Sequence, residues 1–218
     1  MPPGNLPPLI AKEVDIKHER IYNASGILIV DPDYIRGVPH VLVGFQHRPR
    51  SRQRLVIHIL GGKRRSSDRD MRETAFRELY EETGELIEGS VFQSFDDAYE
   101  SKKTSILWHP PGKFGLFVVS LWSFDPEDQE MLRNLPQDFE RKYGSGGSRA
   151  IAGLVWVPLI DLLRTCKSSY ILFKKQHVDT VDFGFDSLRE PFGLGRMAVE
   201  ILGRHPVSEY LKEWFVRS

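Results

Sequence analysis

Apolar positions in this chain fall into short dense runs, and their spacing changes near residue 70. Before that point the runs are strand-like. Residues 24–30 read ASGILIV, Asp31-Pro32-Asp33 and Gly37 turn the chain, and residues 38–45 return as a second apolar run. Apolar runs of this length bounded by Gly, Pro and Asp predict a pair of strands. Residues 55–60 form a third predicted strand, which delivers the chain into Gly61-Gly62. Then Met71, Ala75 and Leu79 recur every four residues, with Phe76 and Tyr80 widening the stripe. That spacing predicts an amphipathic helix. Thr83-Gly84 ends it, with Gly84 suited to a left-handed C′ position.

Beyond the helix, Leu86-Ile87 and residues 90–95 predict a further strand. Residues 96–112 are mixed and close on the turn Trp108-His109-Pro110-Pro111-Gly112, and the aromatic run 114–124 predicts a central strand. Asp125-Pro126-Glu127 places a capping residue before Pro at the first helical position, which predicts a short helix. A Gly/Ser loop at 143–149, a strand at 151–157, a helix starting at Pro158 and helices near 194–203 and 206–216 complete the pattern. Residues 1–20, with Pro2, Pro3, Pro7 and Pro8, read as an extended or disordered lead-in. The chain has no internal repeat, and 218 residues suit one domain over 21–218 with a helical C-terminal extension.

The polar side of the helix near residue 77 carries the chemistry. Glu78, Glu81 and Glu82 stand at i, i+3 and i+4, so their carboxylates share one face. Like charges this close repel, and a hard cation such as Mg²⁺ or Mn²⁺, which takes oxygen ligands, would relieve them. A solvated helix face is the plainer reading of three glutamates alone.

Composition narrows the classes. With 40% hydrophobic and 28% charged residues the chain can bury a sizeable core. Cys166 is the single cysteine, so neither a disulfide nor a multi-cysteine zinc site forms within the chain, which suits the cytoplasm or another reducing compartment. No apolar run reaches the roughly 18 residues of a membrane span, and Met1-Pro2-Pro3-Gly4 does not open a signal peptide.

The residues from Gly62 to Glu85 resemble the Nudix box: Gly, five residues, Glu, seven residues, then Arg-Glu-apolar-x-Glu-Glu-x-Gly-apolar. Gly62 matches the opening, and Arg77, Glu78, Leu79, Glu81, Glu82 and Gly84 match the closing run. Asp68 stands where the pattern has its first Glu, one extra residue separates it from Arg77, Glu85 occupies the final apolar position, and Leu60 stands where many Nudix sequences have Pro. Residues 155–159, Val-Trp-Val-Pro-Leu, are similar to a late strand-to-helix step of Nudix domains. The resemblance implies an α/β fold, an α/β/α sandwich with a mixed sheet. It also implies hydrolysis of a phosphoanhydride with Mg²⁺ or Mn²⁺ on Glu78, Glu81, Glu82 and the Gly62 carbonyl. Arg77 would orient the carboxylates. Asp68 is open between a remote ligand, a group that supports the ligands from behind, and a helix cap, and Glu127, Glu130 and Glu140 are general-base candidates by position.

Local charge bears on the substrate. Between Gln46 and Arg72 stand nine Lys and Arg, namely Arg48, Arg50, Arg52, Arg54, Lys63, Arg64, Arg65, Arg69 and Arg72, against Asp68 and Asp70, in a chain of net charge zero. A basic rim suits a highly anionic substrate, either RNA or a polyphosphorylated small molecule; a solvated loop with ion pairs is the alternative. Trp122 and Trp156, in predicted strands, and Trp214, in the terminal helix, read as packing. Trp108, beside the Pro-Pro turn, is a candidate base or cap contact, with His109 next to it. These features lead first to the 5′ cap of mRNA. The alternatives are a diphosphoinositol polyphosphate or dinucleoside polyphosphate hydrolase, and a catalytically weak Nudix-fold binding module.

Overall fold

Strand alternation sorts the apolar side chains onto two faces of one sheet. In the computed structural model the described residues are 21–35, 37–47, 55–109, 112–144, 151–168, 192–194, 199, 201–203, 209 and 211–212. The expected lead-in, Arg48, Arg50, Arg52, Arg54, the loop at 145–149, Trp214 and most of the two C-terminal helices lie outside them.

β1 (Ala24–Ile35) and β2 (Val38–His47) form an antiparallel hairpin, with Val30 opposite Val41. β3 (Leu55–His58) pairs with the far half of β2, Gly44 opposite His58. One residue later β4 (Leu60–Lys63) pairs instead with the start of β1, Ser25 opposite Gly62. The step at Ile59 therefore carries the chain from one strand of the hairpin to the other and lodges Gly61-Gly62 beside β1. β5 (Thr104–His109) runs antiparallel to β6 (Phe114–Ser120), which is parallel to β1. β7 (Gly153–Pro158) is antiparallel to β2, and β8 (Phe192–Leu194) is parallel to β3. The order is β5-β6-β1-β2-β3-β8, with β4 on β1 and β7 on β2, so the sheet is mixed.

Helices cover both faces. Ile27, Ile29, Phe117 and Val119 point to one face, under α1 (Met71–Glu82), α2 (Gly89–Glu100) and α3 (Pro126–Tyr143). Leu28, Val30, Leu116 and Val118 point to the other, under α4 (Leu159–Ser168) and the helical residues Ile201, Leu202 and Leu211. The fold class is α/β, as expected. None of the described helices is long and apolar enough to cross a membrane.

Four expectations are corrected. Residues 90–95 are not a strand but the first half of α2, because Val91, Phe95 and Ala98 bury one helical stripe. The strand expected over 114–124 stops at Ser120 and gives way to a 3₁₀ turn, Leu121–Ser123, which leaves Trp122 60% exposed rather than in the core. The short helix expected after Asp125 runs 18 residues, straight through the buried Pro136, because Leu132, Leu135 and Phe139 continue its apolar stripe. Residue 194 ends β8 rather than opening a helix.

Candidate functional site

The site is assembled where α1 crosses the end of β4. Asp70 caps α1, its Oδ1 accepting from the Glu73 N–H at 2.9 Å, and Tyr22 Oη donates to the Asp70 carbonyl at 2.7 Å. An aspartate cap of this kind contributes about 1 kcal/mol. Asp68 therefore does not cap the helix. It is buried and accepts four hydrogen bonds: from the Arg65 N–H at 2.8 Å, from Thr74 Oγ1 at 2.8 Å, and from Arg77 Nε and Nη2 at 3.1 and 2.9 Å. The Arg77 guanidinium, reinforced by the Arg65 N–H and Thr74, holds the Asp68 carboxyl well below the usual carboxylate range against the opposing effect of burial.

Arg77 is the hub. Its bidentate pair is with Asp68, and its remaining donors reach the Lys63 carbonyl at 2.8 Å, Glu78 Oε1 at 2.7 Å and Glu81 Oε2 at 3.4 Å. One planar fork thus ties the loop before α1, the end of β4 and two of the three glutamates.

The C-terminal end of α1 is closed by a Schellman motif. Gly84, at φ +70°, donates its N–H to the Glu81 carbonyl, and the Glu85 N–H reaches the Tyr80 carbonyl at 2.8 Å. From α3, Tyr143 Oη and Lys142 Nζ both donate to the Gly84 carbonyl, at 2.7 and 2.9 Å.

The three glutamates have distinct surroundings. Glu82 is buried, its Oε2 accepting from the Gly61 N–H at 2.7 Å, with His58 Nδ1 of β3 3.7 Å from its other oxygen. Burial pushes its carboxyl up to about 8; the Gly61 N–H pulls it down, and the charges of Glu78 and Glu81 push it further up. Glu78 lies against Gly62, where any β-carbon would fall inside the Glu78 carboxylate. Glu81 is paired with Arg65, whose Nη1 and Nη2 donate to its two oxygens at 2.7 and 2.8 Å. Among the described residues no three His, Cys, Asp or Glu side chains are gathered as a ready cation cage. The reason is physical: Glu81 faces Arg65, Glu78 faces Arg77 and Glu82 faces a backbone N–H.

The donor set still fits a hard divalent cation. It offers three carboxylates from one helical face and a glycine edge on which only a hydrogen stands between the backbone and Glu78.

The remaining expected residues are distributed as follows. Lys63, Arg64 and Arg65 are exposed beside the glutamates, with the Arg64 guanidinium 4.6 Å from the Tyr22 ring centroid. Two other cations of the expected rim are engaged within the fold: Arg69 pairs with Glu73, and Arg72 bridges to Asp96 and Glu100 of α2 while lying over Tyr99. Trp108 is half-buried on β5, packed against the core beneath α1–α3, and His109 is buried, its Nδ1 accepting from the Gly112 N–H at 3.2 Å. Glu127, Glu130 and Glu140 are exposed on α3. The sequence reading passed over His58, whose signal was a single polar residue inside the apolar run at 55–60.

No protein-family model matches this chain, and no curated protein does. Among solved structures, the chain is similar in part to the Nudix hydrolase RenU from M. smegmatis. The identity is 16%, the match covers 48% of this chain and 63% of that one, and the TM-score is 0.29. The match thus spans less than two thirds of that structure's length.

Proposed function

We propose that this chain is a Mg²⁺- or Mn²⁺-dependent hydrolase of phosphoanhydride bonds, as the resemblance of residues 62–85 to the Nudix box implies. The observation that supports it most directly is the meeting of Glu78 and Glu82 at one glycine edge, with Glu81 on the same helical face. Glu82 is bonded to the Gly61 N–H, Glu78 fills the space left by the missing side chain of Gly62, and Glu81 stands on the same face. Glu78, Glu81, Glu82 and the Gly62 carbonyl would hold the cation. Bound there, it would acidify a water and neutralise charge developing on the leaving phosphate.

The chain's own residues supply the rest. Arg77, anchored by Asp68, fixes Glu78 and the loop at Lys63 in register. Three consecutive exposed cations, Lys63, Arg64 and Arg65, offer charge to substrate phosphates without crossing the sheet. That cationic edge supports the finer reading, a polyanion such as the 5′ cap of RNA, with Trp108 as a base contact.

The test is incubation with Mg²⁺ or Mn²⁺ and a panel of capped RNA, inositol pyrophosphates, dinucleoside polyphosphates, ADP-ribose and NADH. The Glu81→Gln/Glu82→Gln double variant is the control. The expected outcome is cleavage of capped RNA by the parent protein and none by the variant. Cleavage of inositol pyrophosphates or dinucleoside polyphosphates instead would keep the hydrolase and replace its substrate. RNA binding without turnover in either metal would contradict the hydrolase and leave a binding module.

A further inference from the structure

The geometry points to Arg65 as a placeholder for the cation: it neutralises Glu81 until a divalent ion arrives, and is then released to take a substrate phosphate. This inference rests on the metal reading above and adds an order of events to it.

Three observations carry it. First, Arg65 is a fork on Glu81, with both guanidinium Nη atoms on both carboxylate oxygens at 2.7 and 2.8 Å. Any ion that took Glu81 as a ligand would compete for those lone pairs. Second, the two arginines that reach Glu81 differ in how firmly they are held. Arg77 is 16% exposed, with further bonds to Asp68, Glu78 and the Lys63 carbonyl. The Arg65 side chain is 56% exposed and, among the described residues, pairs with Glu81 alone. Arg65 is thus the arginine that can leave. Third, its backbone stays behind when the side chain leaves, because the Arg65 N–H donates to the buried Asp68 Oδ2 at 2.8 Å. The guanidinium therefore swings from a fixed root beside the site, next to the exposed Lys63 and Arg64.

An exposed arginine–carboxylate pair is weak, so an ion can displace it, and it is screened by salt. The released guanidinium keeps its bidentate preference, and phosphate is the other planar-fork acceptor it recognises. Loading of the cation and capture of the anion are then linked: the first frees the group that serves the second.

The experiment measures Mn²⁺ binding to the full chain by the loss of the free-ion electron paramagnetic resonance signal, for the parent protein and for Arg65→Ala. It then measures binding of imidodiphosphate, a non-hydrolysable pyrophosphate analogue, at saturating Mn²⁺. Matched melting temperatures confirm that the variant is folded. The expected result is that Arg65→Ala binds Mn²⁺ about two- to fivefold more tightly at low salt, the size of one exposed pair, with the gap closing at high salt. The same variant is expected to bind imidodiphosphate several-fold more weakly. Equal or weaker Mn²⁺ binding by Arg65→Ala, with the parent binding normally, would overturn the placeholder and leave the metal reading intact. No Mn²⁺ binding by either protein would overturn both. Unchanged imidodiphosphate affinity would overturn the second role of Arg65.

Discussion

At the scale of single residues the site turns on Asp68. Its carboxylate joins Arg77, Thr74 and the Arg65 N–H in one buried knot. Removing one partner of such a pair leaves a charge uncompensated, so Asp68→Asn is expected to cost about 3 kcal/mol in urea unfolding. The knot also has a pH signature. Asp68 is held below its ordinary value of 3.8, so its contribution is fully present above that value and is lost as pH falls through the lower, folded value. The parent protein should lose stability between about pH 4 and pH 2 by more than Asp68→Asn does; parallel curves would contradict the assignment. From the sequence, Asp68 stood as a replaced glutamate, open between a ligand, a supporting group and a helix cap. Its role as the anchor of Arg77 depends on Thr74 one helical turn into α1 and on the loop folding back, neither of which spacing reveals. His58 escaped for the same reason: only the pairing of β3 and the burial of Glu82 bring them together.

At the scale of elements, α1 is held at both ends by different means. Its start is fixed by Asp70 and Tyr22, and its end by Gly84 under the last turn of α3. A left-handed backbone at Gly84 disfavours any side chain, and a β-carbon there would also strike Tyr143. Gly84→Ala should therefore destabilise by more than the roughly 1 kcal/mol of the backbone effect alone. Tyr143→Phe, which removes only the hydrogen bond to the Gly84 carbonyl, should cost about 1 kcal/mol in chemical denaturation. A Gly84→Ala protein as stable as the parent would show that the motif does not fix the helix end. The amphipathic stripe and Gly84 made α1 legible in the sequence. α2 was not, because Val91, Phe92 and Phe95 within six residues suit strand and helix alike, and the choice was made by Val91, Phe95 and Ala98 burying one helical stripe. α3 was read only from its start at Asp125-Pro126, and it runs on through Pro136 because Leu132, Leu135 and Phe139 continue its buried stripe.

At the scale of the whole molecule, the sheet works as a plate that separates two cores. The alternation of Ile27 with Leu28 and of Phe117 with Leu116 assigns each face its helices. The strand runs on both sides of α1 were legible for this reason. β8 was not: three residues, Phe192–Leu194, carry too little pattern to announce a strand that exists by pairing with β3. The step from β3 to β4 sets Gly61-Gly62 against β1 and beneath α1, so the glutamates meet a backbone edge rather than a second helix. The central claim is that this meeting place holds a divalent cation. The most direct measurement is an anomalous difference map from a crystal of the full chain grown with Mn²⁺. The account predicts a peak within ligand distance of Glu78, Glu81 and Glu82 and the Gly62 carbonyl, lost in a Glu81→Gln/Glu82→Gln crystal. A map with no peak at these carboxylates would contradict it.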